Sequence, residues 1–142
     1  MALTKKQKTE LLGRVELFSA VGKRALGQIA DLASEVEFAA GRYIVRQGEI
    51  GTGFFLIVGG RARAVRGGEV LARFGPGDFF GELSVLDGAP RVANVIADEQ
   101  TACLGLASWD FTRLLEQNPK LMLAILREVA RLLRAASEHH RH

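Results

Sequence analysis

The chain has 142 residues, 48% hydrophobic and 25% charged, with three prolines, one cysteine and a net charge of +3. That length makes one domain, and the apolar share suits a packed globule and not a disordered chain. A lone Cys103 excludes an internal disulfide and a cysteine-built zinc site, no apolar run reaches membrane-spanning length, and so mild a positive charge does not by itself demand nucleic acid.

Residues 3–14 read as a short helix with Leu11, Leu12 and Val15 on a partial apolar face. Lys5, Lys6 and Lys8 precede no apolar signal core, so no secretory signal is expected and the cytoplasm is the expected compartment. After a break at Leu17-Phe18-Ser19, Leu26, Ile29, Ala30, Ala33 and Val36 recur at helical spacing, which predicts an amphipathic helix over 22–36. From about 36 to 107 the pattern changes to strands. Tyr43–Val45 and Phe54–Val58 are β-branched and aromatic; Arg61–Ala64 alternates polar and small; Val70–Phe74, Val92–Ala97 and Thr101–Leu106 complete the set. Gly59-Gly60 and Gly67-Gly68 suit tight hairpins, and Gly41, Gly48, Gly51, Gly53 and Gly75-Pro76-Gly77 supply further turns. Short strands separated by glycine turns predict a mainly β fold, an antiparallel jelly-roll barrel, with helices on both flanks.

Helix returns at Ser108, an expected N-cap, with Phe111, Leu114 and Leu115 on one face. Asn118-Pro119 marks a second start, cap then first helical position. Along the last helix, Met122, Ile125, Val129, Leu132 and Ala136 repeat as a coiled-coil seam, widened by Leu126 and Leu133. The width predicts one flank on the barrel and the other on a second copy, hence a homodimer. Arg127, Arg131 and Arg134 form a basic stripe that reads most simply as a solvated outer face.

Enzyme chemistry finds little support. The three histidines all lie in the tail, at 139, 140 and 142, so neither a Ser–His or Cys–His pair nor a histidine-liganded metal is expected in the barrel. Cys103, between Ala102 and Leu104 in a strand pattern, reads as core.

The stretch Phe79–Val95, FFGELSVLDGAPRVANV, carries the chemistry. Gly81 allows close approach of backbone to a ligand. The short apolar turn from Leu83 to Leu86 would open with unpaired N–H groups, an anion site. Arg91, behind Pro90, supplies a planar fork for phosphate oxygens, and Glu82 an acceptor for a sugar hydroxyl. Acceptor, amide cluster and guanidinium together describe a receptor for a sugar phosphate.

Gly81-Glu82-Leu83-Ser84, then Pro90-Arg91-Val92-Ala93, with the lead-in Gly75-Pro76-Gly77-Asp78-Phe79, resemble the phosphate-binding cassette of cyclic-nucleotide-binding domains of the catabolite-activator and kinase-regulatory-subunit type. The resemblance runs from about Leu17 to Arg134. It implies one domain over 1–142: helices to about 36, a β-roll over 36–107 holding the cassette at 79–95, and C-terminal helices over 108–137. It also implies that Arg91 pairs with the exocyclic oxygens of a cyclic phosphate and that Glu82 accepts from the ribose 2′-hydroxyl. Backbone N–H groups around Leu83, Ser84 and Val92 would complete the shell, and Ala93 belongs to the same matched motif. Strand alternation adds Ala64, Ala72 and Phe74 on the sugar and base side. Cyclic AMP is the favoured ligand and cyclic GMP the second, because relatives that favour cyclic GMP often carry Thr or Ser where this chain has Val92. In the family the last helix closes over the base. A DNA-binding domain of the kind that follows the long helix in the family's transcription regulators has no room before His142, so direct DNA binding is not expected and output falls to a protein effector or an oligomeric change. The competing class is an interaction or dimerisation module that keeps the fold without a physiological nucleotide.

Overall fold

The computed structural model describes residues 2–15, 18, 21–50, 53–81 and 88–139. Helix α1 (Lys5–Gly13) starts at a capping box: the Thr4 hydroxyl accepts from Gln7 N, and Gln7 Oε1 accepts from Thr4 N. Helix α2 (Lys23–Leu32) buries Ala25, Ile29 and Ala30. It ends before the position expected from its spacing. Val36 lies in strand β1 (Ser34–Phe38), paired with Cys103. Ser-Glu-Val-Glu-Phe alternates with period two, and a sheet partner outweighs one residue of continued helical spacing.

The other strands are β2 (Tyr43–Val45), β3 (Gly53–Gly59), β4 (Ala62–Arg66), β5 (Glu69–Phe74), β6 (Phe79–Phe80), β7 (Asn94–Ala97) and β8 (Thr101–Ala107). They form two antiparallel four-stranded sheets, β1-β8-β3-β6 and β2-β7-β4-β5, a jelly-roll arrangement as expected. Gly67 and Gly68, at φ +59° and +79°, make the two-residue hairpin between Arg66 and Glu69 that the sequence called for. Gly59-Gly60 differs: it carries the chain from β3 in one sheet to β4 in the other, so it is a crossing and not a hairpin. A side chain at Gly60 (φ +90°) would put its Cβ 2.5 Å from Gln100 O and 2.6 Å from Thr101 Oγ1. Buried Thr101 is itself satisfied, donating toward Arg61 O and Glu99 O.

Alternation along β3 and β8 divides the core. Phe54, Leu56, Leu104 and Leu106 face the helices and pack with Phe18, Ile29 and Phe111. Ile57, Cys103 and half-buried Phe55 face inward between the sheets, with Ala62, Ala64, Phe80, Ala93 and Val95. Cys103 is therefore core, and burial pushes its thiol up to about 11, away from the reactive thiolate.

Helices α3 (Ser108–Gln117) and α4 (Pro119–His139) close the chain. Ser108 is the first helical residue and Ala107 holds the cap position without a side-chain bond, so the expected serine cap is displaced by one. Asn118 sits between the helices as expected, but its amide turns back to donate to Leu114 O, while its carbonyl accepts from Met122 N. On α4, Leu121 and Ile125 are buried in the domain's own core and Val129 packs against it. Met122, Leu126 and Leu133 stay exposed, the last two by 60% and 68%. The expected seam thus divides: Ile125 serves the domain, and Leu126 and Leu133 carry the outward stripe. The Leu132 and Ala136 side chains lie outside the described set. In the basic stripe, Arg131 pairs with Glu128 of the same helix. Among the described residues no helix is long and apolar enough to cross a membrane.

Candidate functional site

At one end of the roll the chain leaves β6 at Gly81 and re-enters the sheets at Pro90. Pro90 bridges to Ile50, Arg91 N donates to Glu49 O at 2.8 Å, and Gly48 N donates to Arg91 O at 2.9 Å. Asn94 Oδ1 accepts from Gln47 N at 2.8 Å. The strap Arg46–Ile50 therefore holds Arg91 by its backbone.

The Arg91 side chain runs inward and is only 7% exposed, the sole buried charged side chain among the described residues. Its Nη2 donates to Gly53 O at 2.6 Å and its Nη1 to Gly81 O at 3.2 Å. These carbonyls belong to the start of β3 and the end of β6, so they fix the plane of a group with five N–H donors. Gly81 has φ +96°, and a Cβ there would lie 2.6 Å from Arg91 Nη1 and 2.8 Å from Gly53 O. Only glycine fits so close a carbonyl–guanidinium approach in that backbone conformation.

Ala64 is buried, and its register partner on β5 is Ala72; Phe74 is the partner of Ala62. Ala64, Phe74 and Ala93 join one interior cluster, in which Phe74 packs on Phe80 with ring centroids 5.3 Å apart. Ala72, paired with Ala64, is exposed. The fold thus puts Ala64, Phe74 and Ala93 in one cluster and brings Gly81 against Arg91. Val92 is 64% exposed. Glu82, Leu83 and Ser84 lie outside the described residues. Sequence reasoning missed Gly53 and the strap Arg46–Ile50. Gly48 and Gly53 register in sequence only as turn formers, whereas what Arg91 uses is backbone.

Residues 35–118 match the model of the cyclic nucleotide-binding domain. The chain belongs to that family. The cAMP-dependent protein kinase regulatory subunit of Schizosaccharomyces pombe is 38% identical over 116 residues, 79% of this chain and 27% of that protein. The regulatory domain of Toxoplasma gondii PKA, co-crystallised with cAMP, superposes with a TM-score of 0.77 at 30% identity, over 94% of this chain and 50% of that one. The catabolite activator protein of Thermus thermophilus gives 0.80 at 30% identity, over 87% and 60%. This cyclic nucleotide-binding domain spans 22–27% of the length of three of the curated regulatory subunits it matches. Among its described residues no group of three or more His, Cys, Asp or Glu could hold a metal ion.

Proposed function

We propose that this domain is a sensing module that binds cyclic AMP, with the buried, carbonyl-held guanidinium of Arg91 as the phosphate receptor. That guanidinium is the observation that carries the reading. Two N–H donors held in one plane match the paired oxygens of a ring phosphate, whose single negative charge suits a guanidinium. Ala64, Ala72, Ala93 and Phe74 leave space for sugar and base, the backbone around Leu83, Ser84 and Val92 supplies amides, and Glu82 takes the ribose hydroxyl. Relatives named for cAMP support this choice. Val92, which offers no hydroxyl, favours adenine over guanine. Domains of this kind act by regulation and not catalysis, and the single thiol Cys103 fits a cytoplasmic setting. Titration calorimetry should give the tightest binding for cyclic AMP, weaker binding for cyclic GMP and much weaker binding for 5′-AMP. Equal binding of 5′-AMP and cyclic AMP overturns the reading, and no heat with either cyclic nucleotide favours a nucleotide-free interaction module.

Output would pass through α4, whose population shifts when the nucleotide favours a closed lid. Its exposed apolar residues Met122, Leu126 and Leu133 would meet a second copy or a protein effector. Leu126→Glu with Leu133→Glu should convert a dimer into a monomer by light scattering while leaving the core intact, because neither side chain is buried. A wild-type mass of one chain at high micromolar concentration removes the dimer. Ile125 gives no such test, since a charge there would unfold the domain's own core.

A further inference from the structure

A hollow lies against Arg91. It holds about 350 Å³ between β1, β2, β3 and β8. Val36, Val45 and the ring of Phe55 form its apolar wall, and Arg91 is one side of it. Gly53 and Gly105 bare that ring. A Cβ at Gly105 would stand 3.4 Å from Phe55 and one at Gly53 3.6 Å, and neither glycine has a positive φ that would require it. Strand glycines of this kind mark a surface that something approaches closely.

At the rim stand Arg46 and Glu49, both lining the hollow, 3.9 Å apart and each more than half exposed. An exposed pair at that separation contributes little by itself, so its charges are open to insertion of a ligand's own. Arg46 is also stacked over the Tyr43 ring, 4.4 Å from its centroid, which steadies the guanidinium. One fixed cation, one carboxylate beside it and an apolar hollow below are the complement of a zwitterion with an apolar tail. The volume is at the small end for ligand pockets, so it suits a single small molecule.

We infer that this hollow binds a free α-amino acid with an apolar side chain, its carboxylate on Arg46, its ammonium on Glu49 and its side chain against Phe55 and Val45. The inference stands apart from nucleotide binding, and its test uses none. In the full chain, L-leucine should shift the methyl NMR signals of Val36 and Val45 saturably. 4-Methylpentanoate lacks the ammonium and isoamylamine lacks the carboxylate, so each should bind about tenfold more weakly or worse. Glu49→Gln, a change at an exposed side chain, should weaken L-leucine by a similar factor. No saturable shift up to about 10 mM L-leucine, well beyond millimolar affinity, overturns the inference. Equal responses to 4-methylpentanoate or isoamylamine, or unchanged affinity in Glu49→Gln, overturn it as well.

Discussion

Folded Arg91→Ala should bind cyclic AMP about a hundredfold more weakly than wild type in titration calorimetry. A hydrogen bond to a charged group contributes about 1.5–3 kcal/mol, and Arg91 is placed to make more than one to a phosphate. A total of about 3 kcal/mol or more is a factor of about a hundred. The substitution also removes the donors to Gly53 O and Gly81 O, so a stability loss of about 1–3 kcal/mol should accompany it. Titration therefore belongs well below the melting transition. A purely structural Arg91, a staple between the start of β3 and the end of β6, predicts the stability loss with unchanged affinity. Arg91→Lys separates the two further. It keeps the charge and loses the planar fork, so it should recover part of the affinity and little of the two-carbonyl staple. Unchanged affinity in Arg91→Ala would remove this residue from the site.

Where local chemistry decides the structure, sequence was a good guide. Gly67-Gly68 made the hairpin it advertised, β-branched and aromatic composition found β3, and alternation found β4. Where a third element decides, it was not. The spacing that runs from Leu26 to Val36 is helical, yet β8 takes Val36 as a strand partner. Gly59-Gly60 announces positive φ but not which sheet the next strand joins. Periodicity on α4 told which residues share a face, and not that Ile125 meets its own core while Leu126 meets none. The site divides the same way. Gly81 and Arg91 were legible as residue types and do meet. The Gly53 carbonyl and the backbone clamp at Gly48 and Glu49 were not, because a main-chain acceptor has no side-chain signature. Glu82, Leu83 and Ser84 fall outside the described residues, so their roles rest on motif alone.

The Gly81 approach gives the second large effect. Gly81→Ala meets two separate penalties. The first is conformational: φ +96° is a region that costs a residue with a Cβ about 1–3 kcal/mol. The second is steric, because the new Cβ would lie 2.6 Å from Arg91 Nη1 and 2.8 Å from Gly53 O. The guanidinium can swing aside only by leaving a carbonyl it bonds, and Gly53 is held in register with Ala107 in the β3–β8 ladder. The least-held party is β6, two residues long and paired with β3 only at Phe79 and Phe80. The cost should therefore fall on the placement of Arg91 and the end of β6 together. Gly77→Ala supplies the control, since Gly77 has a similar φ of +92° but nothing within 4 Å of its Cβ position. Urea unfolding should show Gly81→Ala losing more stability than Gly77→Ala, the difference being the steric part. Cyclic AMP affinity should fall at least about tenfold in Gly81→Ala, the loss of about one charged hydrogen bond, and stay near wild type in Gly77→Ala. Equal stability losses in the two variants, with wild-type affinity in both, would mean that Arg91 does not depend on the bare backbone at Gly81.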